Sequence, residues 1–377
     1  MFNKDSVALR NSLNKWFYKH ILKPIFFKFD PEMVHDHMTA IGQFLSKNSV
    51  TRKIANNFWG YAHPSLEQNI LGIHFKNPIG LSAGFDYKAN LIQILPAVGF
   101  GFGTIGTITN LPCPGNLKPR LGRLPKSKSL LVNKGFRNLG IEKTLEKLVN
   151  NKFENPVGIS IGQTNIAEIS SLEIAISDVV SAFKKVEASK IPFSYYELNI
   201  SCPNLTAGFS FYSPENLNKL LMSVTKLSLS LPLFIKMPID KSNEESLAML
   251  TTISKFKVEG VIFGNLQKNR QDPAIVPAEV AKLGKGNFSG MPTQKRSDEL
   301  IRLSYKNFGD KLIIIGSGGV FSAEDAYRKI KAGASLIQLI TGMIFEGPQL
   351  ISDINLGLVK LLQKDGYKNI SEAIGKE

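Results

Sequence analysis

The sequence predicts an α/β chain: a closed (β/α)8, or TIM, barrel preceded by a small N-terminal helical domain. Three observations point there. From about residue 70, eight short apolar runs alternate with longer segments of helical period, and repeated β–α order implies parallel strands. The C-terminal ends of these runs are rich in Gly, Asn, Ser and Thr, at the positions where a barrel carries its chemistry. The chain before them has a different pattern, helical and punctuated by lysines. The expected division is a helical domain over residues 1–65 and a barrel over 66–377, and 377 residues leave room for both. An open doubly wound sheet is the runner-up, but no GxGxxG opens a first helix.

Composition narrows the function classes. Hydrophobic residues are 43% and charged residues 20%, which excludes bulk disorder. Lys plus Arg number 46 against 31 Asp plus Glu, a net charge of +15. Such an excess suits nucleic acid, an anionic membrane surface or phosphate-bearing ligands; no compact nucleic-acid motif accompanies it. The two cysteines, Cys113 and Cys202, exclude a disulfide framework and a Cys-rich metal site, and so few thiols read as intracellular. No apolar run approaches the roughly 20 residues of a membrane span. Lys15, Lys19, Lys23 and Lys28 interrupt the N-terminal aromatic stretch, so it lacks a signal peptide's apolar core.

Residues 11–29 combine Trp16, Phe17, Ile21, Leu22, Ile25, Phe26 and Phe27 with Lys15, Lys19 and Lys23 at four-residue spacing. On a helix the lysines share one face. A basic helix with aromatics suits a membrane interface; a helix packed on its own domain fits equally. Asp30-Pro31-Glu32 reads as a helix start, with an N-cap, a proline in the first position and an acid in the first turn. Val34, Met38, Ile41 and Leu45 give that helix one apolar face. The N-terminal part is thus expected to be two short helices joined at a sharp turn, linked onward by residues 56–63.

The eight strands are expected at 78–82, 102–108, 157–161, 195–200, 233–236, 260–263, 312–315 and 336–339. Amphipathic segments at 172–186, 214–229, 244–256 and 323–332 lie between them. The strand ends read Ser82-Ala83-Gly84, Gly106-Thr107, Ser160-Ile161-Gly162, Asn199-Ile200-Ser201-Cys202-Pro203-Asn204, Lys236, Gly264-Asn265, Gly316-Ser317-Gly318-Gly319 and Thr341-Gly342. Small residues let a ligand approach the backbone, and amides bond a polar planar molecule. The last two loops follow strands seven and eight, where backbone N–H groups commonly hold phosphate. A phosphorylated heteroaromatic cofactor is implied, and flavin mononucleotide (FMN) fits.

Cys202 stands between two asparagines just past strand four. A free Cys is commonly a small buried hydrophobe; this place favours a general base, with a thiol pKa expected somewhat below the free value of ~8.5. No His or Asp nearby in sequence suggests a nucleophilic triad. Lys236 closes an apolar strand and is expected as a buried cation at the barrel mouth, where it would stabilise an anionic reduced flavin. Cys113, in the turn 112–115, reads as structural. No metal site is expected.

These residues resemble the FMN-dependent dihydroorotate dehydrogenases. The resemblance runs from about residue 25 to the C-terminus. It rests on Gly84-Phe85-Asp86, Gly115-Asn116-x-Lys118-Pro119-Arg120-Leu121, Asn133-x-Gly135-Phe136, the Asn199–Asn204 run and Gly316-Ser317-Gly318-Gly319-Val320. Asp30-Pro31-Glu32-x-x-His35 also resembles the N-terminal helices of the membrane-associated, quinone-reducing class. The resemblance implies that a base removes the C5 proton of dihydroorotate while hydride passes from C6 to flavin N5, giving orotate, and that a membrane quinone takes the electrons. It implies Cys202 as base and Asn133, Asn199, Asn204 and Asn265 around the pyrimidine, with Gly135 and Phe136 also at the substrate. Ala83, Gly84, Thr107, Asn133, Ser160, Asn199, Lys236, Gly264, Gly290, Gly318, Gly319, Thr341 and Gly342 take cofactor positions. His35 and Arg123 match polar residues near the quinone site.

The departures fall around the substrate. The membrane class normally carries Ser as base, whereas Cys marks the soluble classes. Tyr87 stands where the family has a lysine contacting flavin and substrate, and Lys88 is one residue late. Ser160 replaces an Asn, Leu266 a Thr and Ile340 a Tyr; Gln163-Thr164-Asn165 is a neutral run where the family has a Lys. The Arg-Tyr-Gly-Phe pattern is shortened to Lys134-Gly135-Phe136, so Lys134 or Arg137 is a candidate compensating charge.

The expected function is quinone-linked dihydroorotate oxidation in pyrimidine biosynthesis. The protein would attach peripherally to the cytoplasmic face of a bacterial inner membrane through its N-terminal helices, a mitochondrial inner membrane being the alternative. Competing readings are the same flavin chemistry on another reduced pyrimidine or cyclic amide, electron transfer to NAD through an iron–sulfur partner, and a non-catalytic basic membrane-binding protein.

Overall fold

The protein is seen in a computed structural model that describes residues 4–205, 209–281 and 283–377. Eight parallel strands close into a barrel: β1 (Ile79–Leu81), β2 (Phe102–Ile108), β3 (Val157–Ile161), β4 (Tyr195–Asn199), β5 (Leu233–Lys236), β6 (Gly260–Phe263), β7 (Ile313–Ser317) and β8 (Leu336–Leu339). Ile337 of β8 pairs with Ile79 of β1, which completes the ring. Strand residues are almost all buried, as expected when helices cover a parallel sheet. Four of the helices between strands begin on side-chain caps: Ser171, Ser213, Ser242 and Ser322 each accept a backbone N–H of the first turn. A cap satisfies donors that the helix start leaves open.

The barrel interior is graded. At the N-terminal end of the strands an aromatic layer of Phe75, Phe102, Tyr195 and Phe234 packs with Ile262, Ile315 and Leu336. The hairpin of Gln68–Ile70 and Ile73–Phe75 contributes Phe75 to it. Above it Tyr195 Oη meets Thr104 Oγ1 at 2.7 Å, and Gln338 donates to the same Thr104 oxygen at 3.0 Å. Polarity then rises toward the C-terminal ends, where ligand groups can be met. Outside the barrel, Leu121–Leu124, Ser129–Val132 and Asn287–Phe288 form a three-stranded antiparallel sheet that sequence reading did not anticipate.

The N-terminal part departs from expectation twice. It has α1 (Lys4–Phe17), continued by a π turn (Tyr18–Leu22) and a short helix (Lys23–Phe26), then α2 (Pro31–Ser46) and α3 (Ser49–Trp59). Asp30 caps α2 by accepting Met33 N at 2.8 Å, as its sequence suggests. The expected linker over 56–63 is instead helical up to Trp59, because Asn48 caps a third helix by accepting Val50 N at 2.8 Å. The second departure concerns the lysines. Lys15 and Lys19 pair with the buried Glu346, and Lys23 donates to Phe345 O at 3.1 Å. Their face, still part-exposed, therefore lies along the helix Thr341–Glu346 that follows β8.

What faces outward is apolar. Leu9, Leu13 and Trp16 of α1, Ile41 and Phe44 of α2, and Val50, Ile54 and Phe58 of α3 are all exposed, Phe44 at 69%. Their three- and four-residue spacing puts each set on one helical stripe. Among the described residues, no helix is long and apolar enough to cross a membrane.

Candidate active site

The C-terminal ends of the strands open onto one cavity of about 1220 Å³, counting its mouth. It is lined by Ala83, Gly84, Thr107, Asn199, Cys202, Asn204, Lys236, Gly264, Asn265, Gly318, Gly319, Thr341 and Gly342, with Gly135, Phe136, Gly290 and His35 from the surrounding loops and α2. These expected site residues, from all but one of the strand ends, meet in one place.

A hydrogen-bonded ladder fixes the floor. Asn199 Nδ2 donates to Thr107 Oγ1 at 2.8 Å, and Thr107 meets Ser160 Oγ at 2.9 Å. Ser160 donates to Glu197 Oε1 at 2.8 Å, which lies 3.5 Å from Lys236 Nζ. Lys236 also donates to Ser82 Oγ at 3.1 Å. On the other side Asn199 Oδ1 accepts Ser201 Oγ at 2.9 Å, and Asn265 Nδ2 donates to that hydroxyl at 2.7 Å. Each side-chain amide thus has a fixed orientation before any ligand arrives. Ser160 was expected at the cofactor; it is fully buried one step below the cavity, as the link between Thr107 and Glu197. Glu197 was missed, although an acid in the otherwise uncharged strand Tyr195–Asn199 was the available clue. Its Oε2 has no hydrogen-bond partner.

One end of the cavity is built from backbone. Gly318 and Gly319 have φ of +102° and +68°. A Cβ at Gly319 would come within 2.3 Å of Gln294 Cβ, and one at Gly318 within 2.6 Å of Thr293 Oγ1. Only glycine fits there, and a turn of successive N–H groups at positive φ makes an anion-binding concavity. The hydroxyls of Ser289 and Thr341 meet at 2.8 Å on the same wall. A flavin phosphate fits this cradle, and Lys236 with the amides suits the polar ring.

The entrance side is charged and aromatic. His35 Nε2 lies 2.8 Å from Phe85 O, and its ring stacks on Tyr87 with centroids 5.2 Å apart. Burial pushes the His35 imidazole down to about 4, with Lys134 acting in the same direction, so it is neutral at pH 7. Tyr87 donates to Asp36 Oδ1 at 3.0 Å. Glu32 binds Arg137 at 2.7 Å and Arg120 at 3.2 Å. Lys88 points to Asp36 at 3.5 Å and does not line the cavity, whereas Lys134 and Arg137 do.

Three of the expected residues have a different placement or environment from the one expected. Arg123 lies outside the cavity lining: it donates to Phe29 O at 2.7 Å and covers the Phe27 ring at 4.6 Å. Asn133 is also outside it, its carboxamide oxygen accepting Asn116 Nδ2 at 2.9 Å. The expected lowering of the Cys202 thiol is reversed as well. Burial pushes it up to about 12, against the opposing pull of Asn204 N–H, Lys236 and Lys268. A charged thiolate is poorly solvated there, so the resting group is the thiol. Cys113, by contrast, is structural as expected, held against Gly135 O at 3.3 Å.

Comparison with known proteins agrees with this geometry. The family model described as dihydroorotate dehydrogenase matches residues 65–362. A protein of Trichodesmium erythraeum named dihydroorotate dehydrogenase (quinone) is 35% identical over 376 residues, covering 95% of this chain and 98% of its own length. A namesake from a Sulfurovum species is 39% identical over 360 residues, covering 94% and 97%. Among solved structures, Eimeria tenella DHODH in complex with ferulenol superposes with a TM-score of 0.79 at 27% identity, covering 92% of this chain and 95% of that one.

Proposed function

The chain belongs to the dihydroorotate dehydrogenase family, and from that premise we propose that it oxidises dihydroorotate to orotate on a bound FMN and delivers the electrons to a membrane quinone, as a step of pyrimidine biosynthesis. The observation that carries the reading is the convergence in one cavity of Cys202, the amides of Asn199, Asn204 and Asn265, Lys236 and the Gly318–Gly319 turn. When bound, the flavin supplies a two-electron acceptor for the substrate hydride.

The chain's own groups do the rest. Asn199 and Asn265 are held through Ser201 and can bond only a ring whose polar edge matches them. Asn204 is braced by Val132 O at 3.2 Å and by Asn287 at 2.7 Å. Cys202 takes the C5 proton from its thiolate form, which the Asn204 N–H and Lys236 favour. Lys236 holds the electron-rich edge of the cofactor, and the N–H groups of Gly318, Gly319 and Gly342 hold its phosphate. Neutral His35 with the apolar wall of Leu121, Leu130 and Ile344 offers an uncharged path for a quinone ring.

The division of labour at about residue 65 is part of this proposal. Residues 1–65 act as the quinone entrance and as the membrane contact, with the outward stripes on α1, α2 and α3 lying in the bilayer surface. The cytoplasmic face of a bacterial inner membrane is the location proposed with it. The assay is orotate formation with a quinone analogue or NAD as sole acceptor. Turnover with the quinone alone is expected, and no orotate with either acceptor would overturn the reading.

A further inference from the structure

We propose that Lys134 is the cation that receives the substrate's carboxylate, and so selects an anionic dihydropyrimidine over a neutral one. The inference rests on the dihydroorotate reading and adds to it the residue that recognises the charge. An anion entering a largely desolvated site needs a compensating cation.

The assignment follows by accounting for every cation at the cavity. Lys236 is committed to Glu197 and Ser82. Arg137 is committed to Glu32 at 2.7 Å, and Arg120 to the same carboxylate. Lys88 turns away to Asp36, and His35 is neutral. Lys134 lines the cavity yet makes no ion pair and no side-chain hydrogen bond among the described residues. Its ammonium instead sits 4.0 Å from the centroid of the Tyr87 ring. A ring face holds a cation without using up its N–H donors. The three donors remain for an incoming carboxylate.

Tyr87 is therefore the seat of the cation. Its ring is fixed by the hydrogen bond to Asp36 at 3.0 Å and by the stacked His35. Lys134 follows Asn133 at the end of the strand Ser129–Val132 and precedes Gly135, whose φ of +60° turns the chain back into the site. A lysine placed here reaches from the loop what strand-end residues do not supply.

The surroundings also give the site a pH dependence. Burial lowers the Lys134 amine to about 7; Glu32 and Asp36 raise it, while Arg137 and Lys88 lower it. A bound carboxylate favours the charged amine, so binding takes up a proton near neutral pH and affinity falls as pH rises above about 7.

The test titrates flavin-loaded protein with orotate and with uracil, which lacks the carboxylate, following the flavin absorbance. Lys134→Met is expected to weaken orotate by roughly 30-fold or more and to leave uracil binding and flavin content unchanged. Lys134→Arg should restore most of the orotate affinity. Proton uptake on orotate binding at pH 7.5 should be measurable in the wild type and absent in Lys134→Met. Orotate bound equally by wild type and Lys134→Met overturns the assignment alone. Wild-type protein that ignores orotate overturns both the assignment and the substrate reading beneath it.

Discussion

Lys236 Nζ lies 3.5 Å from Glu197 Oε1, and both side chains are almost sealed from solvent, at 4% and 0% exposure. The pair sits at the step where the barrel interior changes from apolar to polar. One more carboxylate oxygen there is unpartnered, so the acid has no second cation to lean on. Removing one member of a buried pair strands the other, typically at about 3–5 kcal/mol. Lys236→Met is therefore expected to cost the protein stability on that scale, read by urea unfolding of the flavin-free form. Lys236→Met combined with Glu197→Gln should recover most of the loss. A double variant no more stable than the single one would show that the pair is not coupled.

As the proposed base, Cys202 is expected to set the pH dependence of the chemical step. With the thiol pushed up to about 12 by burial, the thiolate fraction near neutral pH is small. At saturating dihydroorotate the rate of flavin reduction should climb roughly tenfold per pH unit from 7 to 10. Cys202→Ala should keep its flavin and lose the reduction. The same shift bears on folding. The native state holds a proton that the unfolded chain releases above about 9, so this contribution to stability is present below that pH and lost as pH rises toward 12. Stopped-flow absorbance across pH checks the rate.

Glu32 ties the N-terminal helices to the loops that carry Arg120 and Arg137. It accepts from Arg137 at 2.7 Å and from Arg120 at 3.2 Å, and its own side chain is 7% exposed. Glu32→Gln should cost roughly 2 kcal/mol, less than a fully buried pair because Arg137 is partly solvated. Proteolysis within α2 should quicken. Unchanged proteolysis would mean that α2 is held by packing alone.

Membrane attachment should depend on the apolar stripes more than on charge. Lys15 and Lys19 are engaged by Glu346 inside the protein, while Leu13 is 62% and Phe44 69% exposed. Leu13→Ser with Phe44→Ser is expected to release the protein from phosphatidylglycerol vesicles while leaving orotate formation with a soluble quinone analogue intact. Raising the salt to about 0.5 M should release only a small part of the wild type, because salt screens charge and spares hydrophobic contact. Release by salt alone would contradict the orientation of the lysine face.

Much of the barrel was legible because its signals are local. Strands 102–108, 157–161, 233–236, 260–263 and 336–339 match their expected bounds, since a buried parallel strand reads as an unbroken apolar run between turn residues. Strand ends declared the site for the same reason: Gly318–Gly319 and Asn199 are unusual neighbours for an apolar run. The misses are tertiary. Whether Lys15 and Lys19 face lipid or Glu346 depends on a residue more than 300 positions away. α3 was lost because its periodic side chains, Val50, Ile54 and Phe58, face outward and do not mark a core. The Cys202 thiol was misjudged because desolvation depends on what covers it. Lys134 could be flagged in sequence, but only the structure reveals that Glu32 and Asp36 pair with other cations and leave it without an ion pair among the described residues.

A cavity that oxidises dihydroorotate on a bound flavin and hands the electrons to a quinone reports both half-reactions in the flavin's colour. The most direct measurement is the visible spectrum of the purified, flavin-loaded protein under anaerobic conditions, first with dihydroorotate and then with a quinone analogue. Loss of the flavin's visible absorbance is expected on the first addition and its return on the second. A flavin that stays oxidised in the presence of dihydroorotate would contradict this function.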